Sequence, residues 1–244
     1  MRENYKLYGL FVGLTATIMV TCDTLVYRVY DIHSLKITAS GIIFSICFLL
    51  STITTEVYGY KLGGRVVWII VICQSLFCAL INLSSIYQVN ENELSPHYYA
   101  LFGDFWHVMI GTWVSVPASY FCNSIIISRL KIYFGGKFFI VRYVLSSMIT
   151  HAVLLLSAYP ISLSSKYPPN ELLNIIITTW SYKVVMSVIL LPIAVFLSDY
   201  VKRIEKTDYY DWKISYNPIS VFSENKVKIN RNAFEVKNEN HPNI

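Results

Sequence analysis

S-T-I-T-T-E-V-Y-G-Y-K-L-G-G, Ser51 to Gly64, lies between two long apolar runs, Ile37–Thr55 before it and Val66–Ile86 after it. At ~1.5 Å per residue the first run is long enough to cross a hydrocarbon layer of ~30 Å. Glu56 therefore marks the end of a membrane helix. Gly59, Gly63 and Gly64 turn the chain, and Lys61 and Arg65 lie on the aqueous side. A carboxylate at the mouth of a span is costly unless it snorkels, pairs or lines a polar cavity. Glu56 is thus either a helix-end acid held by Lys61 or Arg65, or part of a polar path.

The composition points the same way. The chain of 244 residues is 55% hydrophobic and only 14% charged, and its mean hydropathy is +0.48; a soluble domain does not have that balance. Its 19 tyrosines suit a protein with two water–lipid boundaries to line. The five cysteines, Cys22, Cys47, Cys73, Cys78 and Cys122, all fall in apolar segments, at spacings that fit neither a metal site nor a disulfide framework. The N-terminus lacks a small-residue cleavage site, so the first span is expected to be retained.

Six runs are expected to be transmembrane helices: Leu7–Tyr27, Ile37–Glu56, Val66–Ile86, Phe105–Ile127, Phe138–Ala158 and Ile175–Ser198. They are continuously apolar, whereas the strands of a membrane barrel alternate. The fold class is therefore an all-α membrane protein of six spans. Basic residues collect at one set of span ends: Arg2, Lys6, Lys61, Arg65, Arg129, Lys131, Lys137, Arg142, Lys202, Arg203 and Lys206. The other side mixes Arg28, Lys36 and Lys166 with Asp31, Glu91, Glu93, Asp104 and Glu171. The positive-inside rule then places both termini in the cytoplasm. The expected organisation is a six-span domain over residues 1–200, a juxtamembrane segment over 201–222 and a disordered tail over 223–244. Pro117 and Pro192 are expected to kink spans four and six, and Pro160 to end span five. The loop Tyr87–Asp104 reads as polar and external.

Ionisable residues inside spans are functional candidates because each is expensive there unless paired or wet. Asp23 (V-T-C-D-T-L) and Lys183 (W-S-Y-K-V-V-M) both fall in the outer half of the bilayer, so an ion pair between spans one and six is expected. Otherwise Asp23 is an interfacial acid near Arg28, and Lys183 snorkels outward. His107, His151, Asn123, Ser146, Ser147 and Thr150 either contact substrate or satisfy neighbouring helices. Trp106, Trp113 and Trp180 are interface anchors, or one of them stacks on a flat ligand. The chain has no HExxH, G-x-S-x-G, Walker A or Cys/His zinc pattern; the expectation is a protein that is not an enzyme, with no cofactor and no metal.

Two blocks carry a family resemblance. Thr55-Glu56-Val57-Tyr58-Gly59-Tyr60-Lys61 resembles the signature at the end of the second span in the queuosine-precursor transporter family, also called the VUT family. Ser181-Tyr182-Lys183, Leu191-Pro192, Asp208-Tyr209-Tyr210-Asp211 and Asn217-Pro218 are similar to its Y-x-F-K span, its L-P, and its closing D-x-Y-D and N-P-F. Arg142, Ser146 and Ser147 match the start of its R-N-N-x-S-T helix. The resemblance covers roughly Ile37 to Ile219. It departs at His151 and Leu154, where the family has Gln and Asp, and at Asn123, where it has Asp.

The resemblance implies a six-span inner-membrane importer of a 7-deazaguanine such as preQ0, preQ1 or queuine. Its partners would be that base and membrane lipid, with no nucleic acid. Glu56 and Asp23 would accept from the base's N–H edge, Trp180 or Tyr182 would stack, and Lys183 would face an exocyclic oxygen. His151, Asn123 and Ser147 complete the expected substrate-binding set. A transporter of another heterocycle or vitamin, and a membrane scaffold acting through its tail, are the alternatives.

Overall fold

The computed structural model describes residues 5–25, 28–32, 35–86, 95–103, 105–163, 168–222 and 231–232. Most of the tail expected to be disordered lies outside them, as do Glu91, Glu93, Asp104, Lys166 and the side chain of His107. The chain opens with α1 (Tyr8–Thr24), followed by a small antiparallel hairpin of β1 (Val29–Ile32) and β2 (Leu35–Thr38), with Val29 opposite Thr38 and Ile32 opposite Leu35. Then come α2 (Ala39–Ile86), α3 (Ser95–Phe102), α4 (Phe105–Tyr133), α5 (Phe139–Leu163), α6 (Pro169–Ile189) and α7 (Leu191–Glu205). The described chain ends with β3 (Tyr209–Tyr210), a 3-10 turn over Pro218–Phe222, and β4 (Arg231–Asn232), which pairs with β3.

Among the described residues each of the six apolar runs is mainly helical, the second from Ala39 because Ile37 and Thr38 close β2, as a continuously apolar sequence requires when lipid offers the backbone no hydrogen bonds. Four helices among the described residues are long and apolar enough to cross a membrane: Ala39–Ser84, Met109–Tyr133, Phe139–Ile161 and Pro169–Ile189. The helix Tyr8–Thr24 is apolar but shorter; at ~1.5 Å per residue its 17 residues cover about 26 Å. Leucine and isoleucine side chains line the outward stripe Ile72, Leu76, Leu80 and Leu83, the face that lipid would cover.

The second and third runs form one element broken at Gly59, which has φ 81° and ψ 173°. Almost only glycine adopts that combination. The break reverses the chain, because both halves of α2 follow α1 from end to end. Near the start of α1, Tyr8 meets Tyr58 edge-on with ring centroids 5.4 Å apart, and its hydroxyl donates to the Leu62 carbonyl at 3.1 Å. Near its finish, the Cys22 thiol donates to Ser40 O and Asp23 accepts from Gln74. Residues on the two sides of Gly59 thus share each level of α1, and α2 is a helical hairpin with arms 39–58 and 60–86.

The prolines behave differently from one another. Leu191-Pro192 breaks the sixth run into α6 and α7, with Pro192 in the first turn of α7, where its missing N–H costs nothing. Pro117 lies inside the continuous α4, and Pro160 does not end the fifth span: α5 runs three residues beyond it to Leu163. Within the loop expected to be polar and external, Ser95–Phe102 forms the short helix α3, tied to α2 by contact between the Ser84 and Tyr98 hydroxyls at 3.0 Å.

The segment after α7 folds back onto the Gly59 end of the bundle. Trp68 Nε1 donates to Pro218 O, and Arg65 Nε donates to Val221 O, each at 2.9 Å. Val221 is fully buried against Gly64, where a Cβ would come within 2.7 Å of its methyl group. Residues 207–222 are therefore part of the packed body.

Candidate functional site

Two polar regions lie inside the bundle, and their hydrogen bonding differs. The first surrounds Glu56, which closes the first arm of α2 and has no exposed surface. Arg142 of α5 grips both carboxylate oxygens: Nη1 donates to Oε2, and Nη2 to Oε1 at 3.0 Å. Lys202 of α7 donates to Oε1 at 2.8 Å, and Lys131 of α4 stands 3.9 Å from the same oxygen while donating to the Glu56 carbonyl. Asp208 bridges the two lysines, at 2.7 Å from Lys131 and 3.0 Å from Lys202. The guanidinium is completed by the Lys137 and Gly136 carbonyls, each at 3.2 Å. Burial alone would push the Lys202 ammonium down, but Glu56 and Asp208 outweigh it and hold its pKa above the ordinary lysine value.

The same region joins the two sequence blocks. Asp211 accepts from the Tyr60 backbone N–H at 2.8 Å and from Ser128 Oγ at 2.7 Å, capping the second arm at its first free donor. It approaches so closely that a Cβ on Gly59 would lie 2.8 Å from its Oδ1. Tyr60 Oη donates to Tyr216 O at 3.0 Å. T-E-V-Y-G-Y-K and D-Y-Y-D are thus the two halves of one clasp. The pairing of Glu56 with a cation, expected from sequence, is present, but through Arg142, Lys202 and Lys131. Arg65 is committed to Val221.

The second region lies deeper, around an aromatic column. Phe48 stacks on Tyr120 with centroids 4.7 Å apart, meets His151 edge-on at 4.6 Å, and is joined by Phe44 at 5.4 Å. Lys183 of α6 is buried and sets its ammonium 4.4 Å from the centre of the Phe44 ring. One turn on, Ser187 Oγ lies 3.1 Å from His151 Nε2. Tyr120 Oη donates to Met19 Sδ at 3.4 Å, one helical turn before Asp23. Asp23 Oδ2 in turn accepts from Gln74 Nε2 at 2.7 Å. One turn along α4 from Tyr120, Asn123 is fully buried and donates to Thr52 Oγ1 at 3.0 Å.

Among the expected site residues, Asp23, Lys183, His151 and Asn123 gather round this column, and Ser147 is buried one turn before His151 on α5. Glu56 stands apart in the clasp. Trp180 is tied to α5 through its indole N–H and Met148 O at 2.9 Å, and the Tyr182 hydroxyl is buried without a hydrogen-bond partner. Asp23 and Lys183 do not form the expected ion pair. They belong to the same depth but to different azimuths: Asp23 faces the second arm of α2 at Gln74, whereas Lys183 faces the first arm at Phe44. Trp106 and Trp113 are about half exposed, in keeping with boundary positions. Gln74 was not among the expected residues; its signal is an amide in the middle of the apolar run Val66–Ile86, about two turns before the run's other amide, Asn82.

The two regions differ in how their buried charge is met: Glu56 by three cations, Lys183 by an aromatic ring. Gln74 Oε1 and His151 Nδ1 are buried without a hydrogen-bond partner, a condition native interiors rarely tolerate. A ligand carrying donors and acceptors would satisfy both. No cluster of metal-ligating side chains occurs among the described residues.

Residues 38–197, about two thirds of the chain, match the model of the family described as "Putative vitamin uptake transporter". No curated protein and no solved structure matches the chain. The chain belongs to this uptake-transporter family, so it is a multi-pass membrane transporter for a small molecule.

Proposed function

Starting from that membership, we propose that the chain imports a queuosine precursor, a 7-deazaguanine such as preQ0, preQ1 or queuine, across the inner membrane. The observation that carries this reading is that His151 Nδ1 is buried and unpartnered where His151 meets Phe48 in the column of Phe44, Phe48 and Tyr120, and that Gln74 Oε1 is buried and unpartnered where Gln74 meets Asp23. A flat base has π-faces that stack on aromatic rings and an edge rich in donors and acceptors. Asp23 supplies a carboxylate acceptor for that edge, and Lys183 supplies a donor for an exocyclic oxygen. Asn123 and Ser147 border the same layer, and Trp180 and Tyr182 flank it on α6. Glu56 then acts as a closure at the cytoplasmic end, since three cations already occupy its two oxygens. The test is expression in cells that lack both precursor synthesis and their own importer. Supplied precursor should restore queuosine to tRNA; failure with preQ0, preQ1 and queuine alike would remove this reading.

A second reading is uptake of another planar heterocycle or vitamin. It is favoured by His151, whose imidazole replaces the glutamine that the queuosine-precursor resemblance expects at that place and bonds Ser187. Competition by purines, pteridines and vitamins against labelled preQ0 separates the two.

A further inference from the structure

The carboxylate of Asp23 and the amide of Gln74 form a built pair whose open side consists of acceptors. A carboxylate can only accept, so the bond of 2.7 Å between them fixes the Gln74 amide with its NH2 toward Asp23 and its Oε1 away from it. Gln74 has no exposed surface, and Oε1 has no partner. The second oxygen of Asp23, Oδ1, has no hydrogen-bond partner among the described residues, and the residue retains 8% of its surface. Two acceptor oxygens therefore flank one hydrogen bond, one on each arm of it.

The surroundings restrict what can meet this pair. The nearest cation of the layer, Lys183, is turned to Phe44 on the other arm of α2, so it does not neutralise Asp23. Its neighbours along the chain are apolar or weakly polar: Cys22 is spent on Ser40 O, and Met19 accepts from Tyr120. The ligand itself must bring N–H groups. Two adjacent acceptors are matched by two adjacent donors, such as a ring N–H beside an exocyclic amino group.

We infer that Asp23 and Gln74 together are the specificity-determining pair of the transporter, selecting heterocycles that carry a ring N–H next to an exocyclic amino group. The inference deepens the reading of the substrate as a deazaguanine, and it rests on that reading for the location of the bound base. It adds the residue that makes the choice and the part of the base that is chosen. Asp23 alone would accept from any N–H; Gln74 fixes the carboxylate's orientation and adds the second acceptor, so loss of the donor that meets Gln74 Oε1 leaves a buried oxygen unsatisfied.

The experiment uses the full chain in proteoliposomes, with uptake measured for three pairs of compounds that differ only in the exocyclic amino group: preQ0 and its deamino analogue, guanine and hypoxanthine, and pterin and its deamino analogue. The wild type should prefer the amino member of any transported pair by roughly 10- to 100-fold, the worth of one charged hydrogen bond. Gln74→Met should reduce that preference to within about threefold, mainly by slowing uptake of the amino compound. Gln74→Asn keeps the amide but draws it back by one methylene, and should give an intermediate preference. It serves in place of Gln74→Met should that protein not fold. A wild type without preference for the amino member, or a preference that survives both variants, overturns the inference. If guanine or pterin is carried with a Gln74-dependent preference while preQ0 is not, the queuosine reading fails and the selecting pair stands. If no compound of the panel is carried, both fail.

Discussion

The clasp around Glu56 and the layer around Lys183 both bury charge, yet only around Glu56 is that charge met by opposite charge. In the clasp, Glu56 and Asp208 are shared among Arg142, Lys131 and Lys202, and two further guanidinium donors end on carbonyls. In the layer, the Lys183 ammonium has an aromatic ring for a neighbour, and Gln74 and His151 each retain an unpartnered atom. A carboxylate engaged on both oxygens can hold helices together but has little left to offer a ligand. Unpartnered polar atoms contribute less to the fold and leave hydrogen bonds for a ligand to make. The motif that carries the resemblance, T-E-V-Y-G-Y-K, therefore belongs to the structural region. The substrate contacts proposed above lie elsewhere.

The largest expected effect comes from opening the clasp. Arg142 and Glu56 are both fully buried, and removing one partner strands the other charge at ~3–5 kcal/mol. Arg142→Met should sharply lower detergent-extracted yield and melting temperature. Arg142→Lys should recover only part of the loss, because an ammonium cannot grip both oxygens as the guanidinium does. An Arg142→Lys variant as stable as wild type would mean that charge alone, without the bidentate geometry, holds the region.

Next in size is the hinge between the arms of α2. Gly59→Ala places a side chain at φ 81° and ψ 173°, and its Cβ within 2.8 Å of Asp211. Backbone strain of this kind costs ~1–3 kcal/mol. Thermal melts of Gly59→Ala in the wild-type and Asp211→Ala backgrounds distinguish the two causes. The strain should persist after Asp211 is removed, while the steric part should vanish. A harmless Gly59→Ala would show that the hairpin does not depend on this conformation.

How much of this was legible in the sequence follows from the distance over which each interaction acts. The apolar runs read as helices because membrane backbone must satisfy itself locally, and Gly59 read as a turn for reasons carried by the glycine itself. The partners of Glu56 did not read correctly. Lys61 and Arg65 are near in sequence, whereas Lys202 comes from α7 and read only as a loop charge that sets topology. Arg142 comes from α5 and read as such a charge and as the start of a matched helix, with no link to Glu56. The contact between T-E-V-Y-G-Y-K and D-Y-Y-D likewise joins segments about 150 residues apart, and no local pattern announces it. The Asp23–Lys183 pair was expected from depth alone; rotation about the helix axis, ~100° per residue, decides which neighbour a side chain meets. Gln74 was legible in principle, as an amide that apolar surroundings make expensive.

A smaller effect tests whether the clasp keeps its charge across the working pH range. The folded-state pKa of Lys202 lies above its unfolded value. Its contribution is therefore complete below the unfolded value of ~10.4 and is lost as pH rises through the folded value. Lys202→Met should cost about 1 kcal/mol, between an exposed pair and a fully buried one. That cost should be equal at pH 6 and pH 9, and should shrink only above about 10.4. A cost that already fades between pH 6 and pH 9 would mean that Lys202 is not held protonated by Glu56 and Asp208.

The smallest expected effect on stability is the coupling between Asp23 and Lys183, and it bears most directly on the contrast between the two regions. If these residues formed a buried ion pair, each single replacement would strand a charge, and the double replacement would recover ~3–5 kcal/mol. Their contacts are instead separate, Gln74 for Asp23 and Phe44 for Lys183, and sites without shared partners add to within ~0.3–0.5 kcal/mol. Lys183→Met removes a buried ammonium whose ring contact is worth about 2 kcal/mol, while the desolvation it relieves is several kcal/mol. The variant should therefore melt no lower than wild type, although uptake is lost. Asp23→Asn should change the melting temperature by the same amount in the wild-type and Lys183→Met backgrounds. A double variant markedly more stable than the sum of its parts would join Asp23 to Lys183 after all, and the layer would then be a second structural clasp with no ligand to bind.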